Sequence, residues 1–93
     1  MSLYSLTSLN KNESGIIRKI DESQMSKKTG AEVGDLEARL LEMGFIEGVM
    51  LTVLHFGIWG RDPIALRINN SNSIIALRKN EASTIFLEKI NAR

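Results

Sequence analysis

Cysteine is missing from this chain altogether, and histidine, proline and tryptophan each occur once among its 93 residues. Without cysteine there can be no disulfide, no thiolate zinc site, no Cys-ligated cluster and no cysteine nucleophile. That composition fits a reducing compartment. With His55 as the sole imidazole, a tight transition-metal site would need mostly carboxylates, an unusual ligand set, so no dedicated metal site and no cofactor are expected. An excess of charge of either sign is also missing: twelve Lys and Arg face eleven Asp and Glu, for a net charge of +1. No global field therefore favours nucleic acid or an anionic membrane. Long apolar runs are absent too. The richest stretch, Val49 to Trp59, is broken by Thr52, His55 and Gly57 and falls far short of the ~20 residues of a spanning helix. Met1 to Asn10 lacks the basic start and apolar centre of a signal peptide. The expectation is a cytoplasmic protein that does not insert into a membrane.

What remains is ordinary globular composition, 43% apolar and 25% charged, at a length that suits one domain and one core over 1–93. Tyr4, Leu6 and Leu9 stand among polar residues, and 1–13 reads as a short edge strand or a loosely docked arm. In Gly15 to Ile20 the residues Ile16, Ile17 and Ile20 are β-branched and apolar, which reads as a strand with one bend. Asp21 to Gly30 is a polar loop. Val33, Leu36, Leu40 and Met43 recur at helical spacing, widened by Leu41, with Asp35 and Arg39 as a four-residue ion pair and Thr29 with Glu32 as a capping box. Gly34 weakens the first turn, so the helix starts only at Asp35 and ends at Met43, before Gly44.

The rest alternates between strands and turns. Val49 to Phe56 is a strand, and Gly57 to Pro63 an extended turn holding Ile58, Trp59 and Arg61. Ile64 to Ile68 is a half-buried strand, Asn69 to Ser73 a hairpin loop, and Ile74 to Leu77 the next strand. One turn of 3₁₀ helix around Glu81 to Ser83 precedes a last strand, Thr84 to Ile90. Many short strands in so small a chain favour a closed barrel of SH3-like or OB-like kind. The fold class is mainly β: an SH3-like barrel of five to six strands with one short α-helix inserted after the first.

Chemistry is scarce. The carboxylates lie mostly in helix or loop positions beside water, there is no Gly-x-Ser-x-Gly elbow, and Gly57-Ile58-Trp59-Gly60 lacks the spacing, helix and lysine of a phosphate loop. The chain reads as a non-enzyme. His55 is either a strand residue with one hydrogen bond or a ligand together with Asp62 or Glu47. Trp59, between two glycines, is either an exposed interaction tip or a lid on the core. Arg67, Arg78 and Lys79 form either a small basic patch or separate solvated positions. An oligonucleotide-binding barrel would need an aromatic platform and a basic groove, which are missing.

In order, Leu40-Leu41-Glu42-Met43-Gly44-Phe45-Ile46-Glu47-Gly48, Leu51-Thr52-Val53-Leu54, Asp62-Pro63-Ile64-Ala65-Leu66-Arg67 and Ala76-Leu77-Arg78-Lys79-Asn80-Glu81-Ala82 resemble the FeoA family, ferrous iron transport protein A. Gly15 to Ile20 matches its first strand, so the resemblance runs from about Leu6 to Ile90. It implies an SH3-like barrel and a cytosolic accessory of bacterial ferrous iron uptake that binds the cytosolic portion of the transporter FeoB. On that reading Ile58, Trp59, Arg61 and Arg78 are the partner-binding residues, the surface being the Gly57 to Pro63 loop and the nearby helix face. The alternative is a stand-alone SH3-like sensor that binds ferrous or another divalent transition metal directly. Three features depart from the family pattern. Glu47 stands where proline is frequent, Arg61 is an apparent extra residue before Asp62-Pro63, and the Asp21 to Gly34 segment is longer than usual.

Overall fold

A computed structural model describes residues 2–23, 34–69 and 71–90. Six strands form one antiparallel sheet in the order β1-β6-β2-β3-β4-β5. They are β1 (Tyr4–Ser5), β2 (Ser14–Ile20), β3 (Met50–Phe56), β4 (Ile64–Ile68), β5 (Ser73–Leu77) and β6 (Ile85–Ile90). A 3₁₀ turn (Leu6–Ser8) follows β1, α1 (Asp35–Glu42) lies between β2 and β3, and α2 (Lys79–Ala82) lies between β5 and β6. The fold is mainly β and SH3-like, as expected. The hydrogen-bonded ladder, however, is not closed: among the described residues β1 and β5 remain its two ends. Curvature comes instead from register shifts at Arg18 in β2 and Leu54 in β3, where one extra residue bends the strand.

Alternation sets the core. Leu51 and Val53 of β3, Ile64, Leu66 and Ile68 of β4, and Ile85 and Leu87 of β6 point to one face and are buried with Ile17, Leu77 and Phe45. Leu36 and Leu40 of α1 cover this face, while Leu41 is exposed rather than part of the buried stripe. Leu6 and Leu9 are fully buried in the same cluster. The N-terminal arm is thus an edge strand plus two core side chains, not a loosely docked segment.

Local backbone chemistry explains the helix ends. Gly44 adopts φ 105° just after α1, the left-handed position that a side chain would strain. At the other end the N-cap is Gly34, which offers no side chain, and the carboxylate of Glu22 accepts the Glu37 N–H at 3.0 Å instead. The expected Thr29–Glu32 capping box, the Val33 position and most of the polar loop lie outside the described residues. The expected Asp35–Arg39 pair is replaced: Arg39 reaches across to Glu81 of α2 at 2.6 Å. Glu81 is the less exposed partner, and its other oxygen accepts the Arg78 N–H at 3.0 Å. The turn expected around Glu81 to Ser83 is a short α-helix.

Candidate functional site

The seven residues Gly57 to Pro63 join β3 to β4 and project the two most exposed large apolar side chains of the described residues, Ile58 (87%) and Trp59 (78%). Trp59 is therefore a tip and not a lid. The loop is braced at three points. At its base the Gly57 N–H donates to the Pro63 carbonyl at 2.7 Å, and a Cβ on Gly57 would stand 2.4 Å from the Asp62 carbonyl oxygen and 2.6 Å from Pro63 Cδ. Only glycine fits there. At its crown Gly60 (φ 64°) and Arg61 (φ 68°) are consecutive left-handed residues, the signature of a tight reversal that accommodates the apparent extra residue.

Arg61 provides the second brace. Its guanidinium lies 4.0 Å from the centroid of the Phe56 ring and donates to the Leu9 carbonyl at 3.1 Å. A weaker contact reaches the Asn10 side-chain oxygen at 3.5 Å. Charge, planarity and a fork of donors allow both contacts at once, which lysine could not reproduce. Arg61 ties the loop to the N-terminal arm and does not present a free charge beside Trp59.

The third brace comes from α2. Asp62 accepts the Lys79 N–H at 2.9 Å, with Arg78 Nε at 3.6 Å from the same oxygen, and Lys79 Nζ reaches the Gly60 carbonyl at 3.5 Å. The helix next to the loop is thus α2; no hydrogen bond among the described residues joins α1 to the loop. Trp59, Asp62, Pro63 and Arg78 line a groove of about 350 Å³. Arg78 remains largely exposed and close to Trp59. Arg67 pairs with Ile74, three positions along β4 from the Ile64–Leu77 pair that precedes Arg78, so it does not join Arg78 and Lys79 in one patch.

Ile58, Trp59, Arg61 and Arg78 are consequently brought to one end of the sheet, the first two exposed, Arg61 as support and Arg78 on the rim. Sequence reasoning missed the supports Leu9 and Phe56, whose only signal was membership of neighbouring elements, and named Lys79 as part of a basic patch and not as a support of the loop. His55 is exposed on β3 opposite Ala65, and Asp62 is engaged by the α2 backbone. Among the described residues no three His, Asp or Glu side chains lie together as a metal site would require, and no helix is long and apolar enough to cross a membrane.

No curated protein matches the chain by sequence. Among solved structures, the chain is similar to the FeoA-like protein from Clostridium acetobutylicum (TM-score 0.76, 20% identity, all of this chain and 93% of that one). It is also similar to Stenotrophomonas maltophilia FeoA complexed with zinc, described as a prokaryotic SH3 domain protein (TM-score 0.72, 20% identity, 91% and 89%). A manganese-dependent transcriptional repressor shares the fold over 38% of its length (TM-score 0.77, 14% identity, 97% of this chain). The FeoA domain family matches residues 4–89, nearly the whole chain with both the Trp59 loop and its supports. The chain therefore belongs to the FeoA family, which is associated with ferrous iron transport.

Proposed function

We propose that this protein is a cytoplasmic accessory of bacterial ferrous iron uptake that acts by docking on the cytosolic portion of FeoB, and that the Ile58–Trp59 tip is the centre of its docking surface. The observation that carries the reading is the exposure of two large apolar side chains on a loop braced at Gly57, Arg61 and Asp62. Leaving tryptophan and isoleucine in water forgoes ~1.5–3 kcal/mol per side chain that burial would supply. Bracing matters because a surface ordered in advance loses less side-chain and loop entropy on binding. Tryptophan and arginine near the centre of an interface are the residues whose truncation costs most.

The reading makes the protein a binding module with no reaction of its own. A pull-down of the cytosolic portion of FeoB by the full chain is expected to succeed, and Trp59→Ala is expected to weaken binding by at least ~30-fold, corresponding to the ~2 kcal/mol of an interface hot spot. Cells carrying Trp59→Ala should show reduced ferrous iron uptake at unchanged protein level. Absence of binding by the wild-type chain, or full uptake by the variant, would count against the proposal.

A further inference from the structure

The sheet has two ends, and they differ. At one, β1 has two residues, and Lys89 Nζ covers the Tyr4 ring at 4.5 Å from its centroid. At the other, β5 offers five residues, about 17 Å of extended backbone at ~3.4 Å per residue. Among the described residues, β5 pairs only with β4, and no backbone hydrogen bond outside that ladder involves 73–77. An unpaired strand edge is a template for another strand, and proteins commonly blunt such edges with lysine, proline or a bulge. Ser73-Ile74-Ile75-Ala76-Leu77 contains no charge and no proline, and its register with β4 runs without a shift. Ile74 is 67% exposed, an apolar side chain available for cross-strand pairing.

The edge also leads to the groove described above. Because Leu77 pairs with Ile64, the strand ends beside Pro63, and Arg78 follows directly as a wall of the groove with Trp59. Arg78 and Lys79 place two cations at this end; of the two carboxylates beside them, Glu81 receives the Arg78 N–H and Asp62 the Lys79 N–H, and the Arg78 guanidinium, 3.6 Å from Asp62, stays 72% exposed and open to a further carboxylate. We propose that the free edge of β5 takes an extended segment of another protein as a seventh strand, and that an apolar side chain of that segment, flanked by a carboxylate for Arg78, seats in the groove beside Trp59. Main-chain bonds supply the affinity in such strand addition, and the end pocket supplies selectivity.

A second copy of this chain fits the edge poorly. Antiparallel pairing of two β5 strands would bring Arg78 near Ser71, Asn72 and Ser73 of the other copy, none of them acidic. Two five-residue edges also bury far less than the ~1,000 Å² expected of a stable protein interface. The inference adds a binding mode to the docking surface proposed above and does not depend on which protein supplies the segment.

The test selects random ten-residue peptides displayed on phage against the immobilised full chain, then titrates the strongest peptide into the ¹⁵N-labelled protein. The expected peptide carries β-branched residues and at least one carboxylate, and moves amide resonances within 73–78 and 57–63. Methylating its backbone nitrogens at alternate residues separates a strand from other extended ligands, since only one parity faces β5. One set of methyl groups should weaken binding at least ~10-fold and the other set should leave it nearly unchanged, while Arg78→Glu should weaken it at least ~5-fold. No selected peptide, a proline-rich peptide that moves other resonances, equal tolerance of both methylation patterns, or dimerisation of the free chain through β5 would each overturn the inference. Because the FeoB pull-down is a separate measurement, either claim can fail without the other.

Discussion

Replacing Arg61 by alanine separates bracing from direct contact. The structure gives the side chain two interactions, a guanidinium 4.0 Å from the Phe56 ring centroid and a hydrogen bond of 3.1 Å to the Leu9 carbonyl. At a solvent-exposed site the first contributes ~0.5–1 kcal/mol and the second a net ~0.5–1.5 kcal/mol. Arg61→Ala should therefore destabilise the fold by about 1–2.5 kcal/mol, and at ~4–8 °C per kcal/mol for a domain of this size the melting temperature should fall by roughly 4–20 °C. Urea denaturation measures the free energy directly. Arg61→Lys should recover little of the loss, since an ammonium cannot stack and donate as the planar fork does. The functional consequence follows from a double-mutant cycle on FeoB binding. If Arg61 acts by holding the loop, its effect should shrink once Trp59 is already alanine, leaving a coupling of at least ~0.5 kcal/mol. Unchanged stability in Arg61→Ala, or full additivity with Trp59→Ala, would refute the bracing account.

Three further outcomes follow from the same geometry. Gly57→Ala forces a Cβ to within 2.4 Å of a backbone oxygen and should cost at least ~2 kcal/mol by denaturation, through displaced backbone and the broken Gly57–Pro63 hydrogen bond. Leu9→Ala, in a side chain with no exposure, should cost ~2–5 kcal/mol, whereas a loosely docked arm would lose almost nothing. The Ser23 hydroxyl and N–H hold the Asp21 carboxyl below the ordinary aspartate pKa, with Lys19 a smaller influence. Its stabilising contribution is thus present above the unfolded value of ~3.9 and is lost as pH falls through the lower folded value. A carbon-detected pH titration should place the Asp21 midpoint below that value, and Ser23→Ala should move it back up.

The readable parts of the fold were those fixed by neighbouring residues. Alternation along Ile64 to Ile68 placed one face inward, and the glycine after Met43 announced a helix end because the backbone at Gly44 needs positive φ. The parts that escaped depend on residues distant in sequence. Leu6 and Leu9 look isolated among polar neighbours, and their burial is decided by the sheet they meet. Arg39 had a carboxylate four residues away and chose Glu81, 42 positions on, where the partner is better sheltered. Arg61 and Trp59 were both legible as an unusual turn. What could not be read was their division of labour, because the Leu9 carbonyl that holds Arg61 lies 52 positions earlier. A closed barrel was expected from the cost of bare edges, and the open β5 edge is the point where that cost was left unmet.

Docking through Trp59 is tested most directly by its own indole N–H, the only one in the chain. With only this protein ¹⁵N-labelled, unlabelled cytosolic portion of FeoB is added stepwise and the Trp59 side-chain resonance is followed. The account predicts a saturable shift or broadening of that resonance together with the amides of Ile58 and Arg78. An indole resonance that stays in place while FeoB is bound through other amides, or a spectrum that does not change at all, would contradict it.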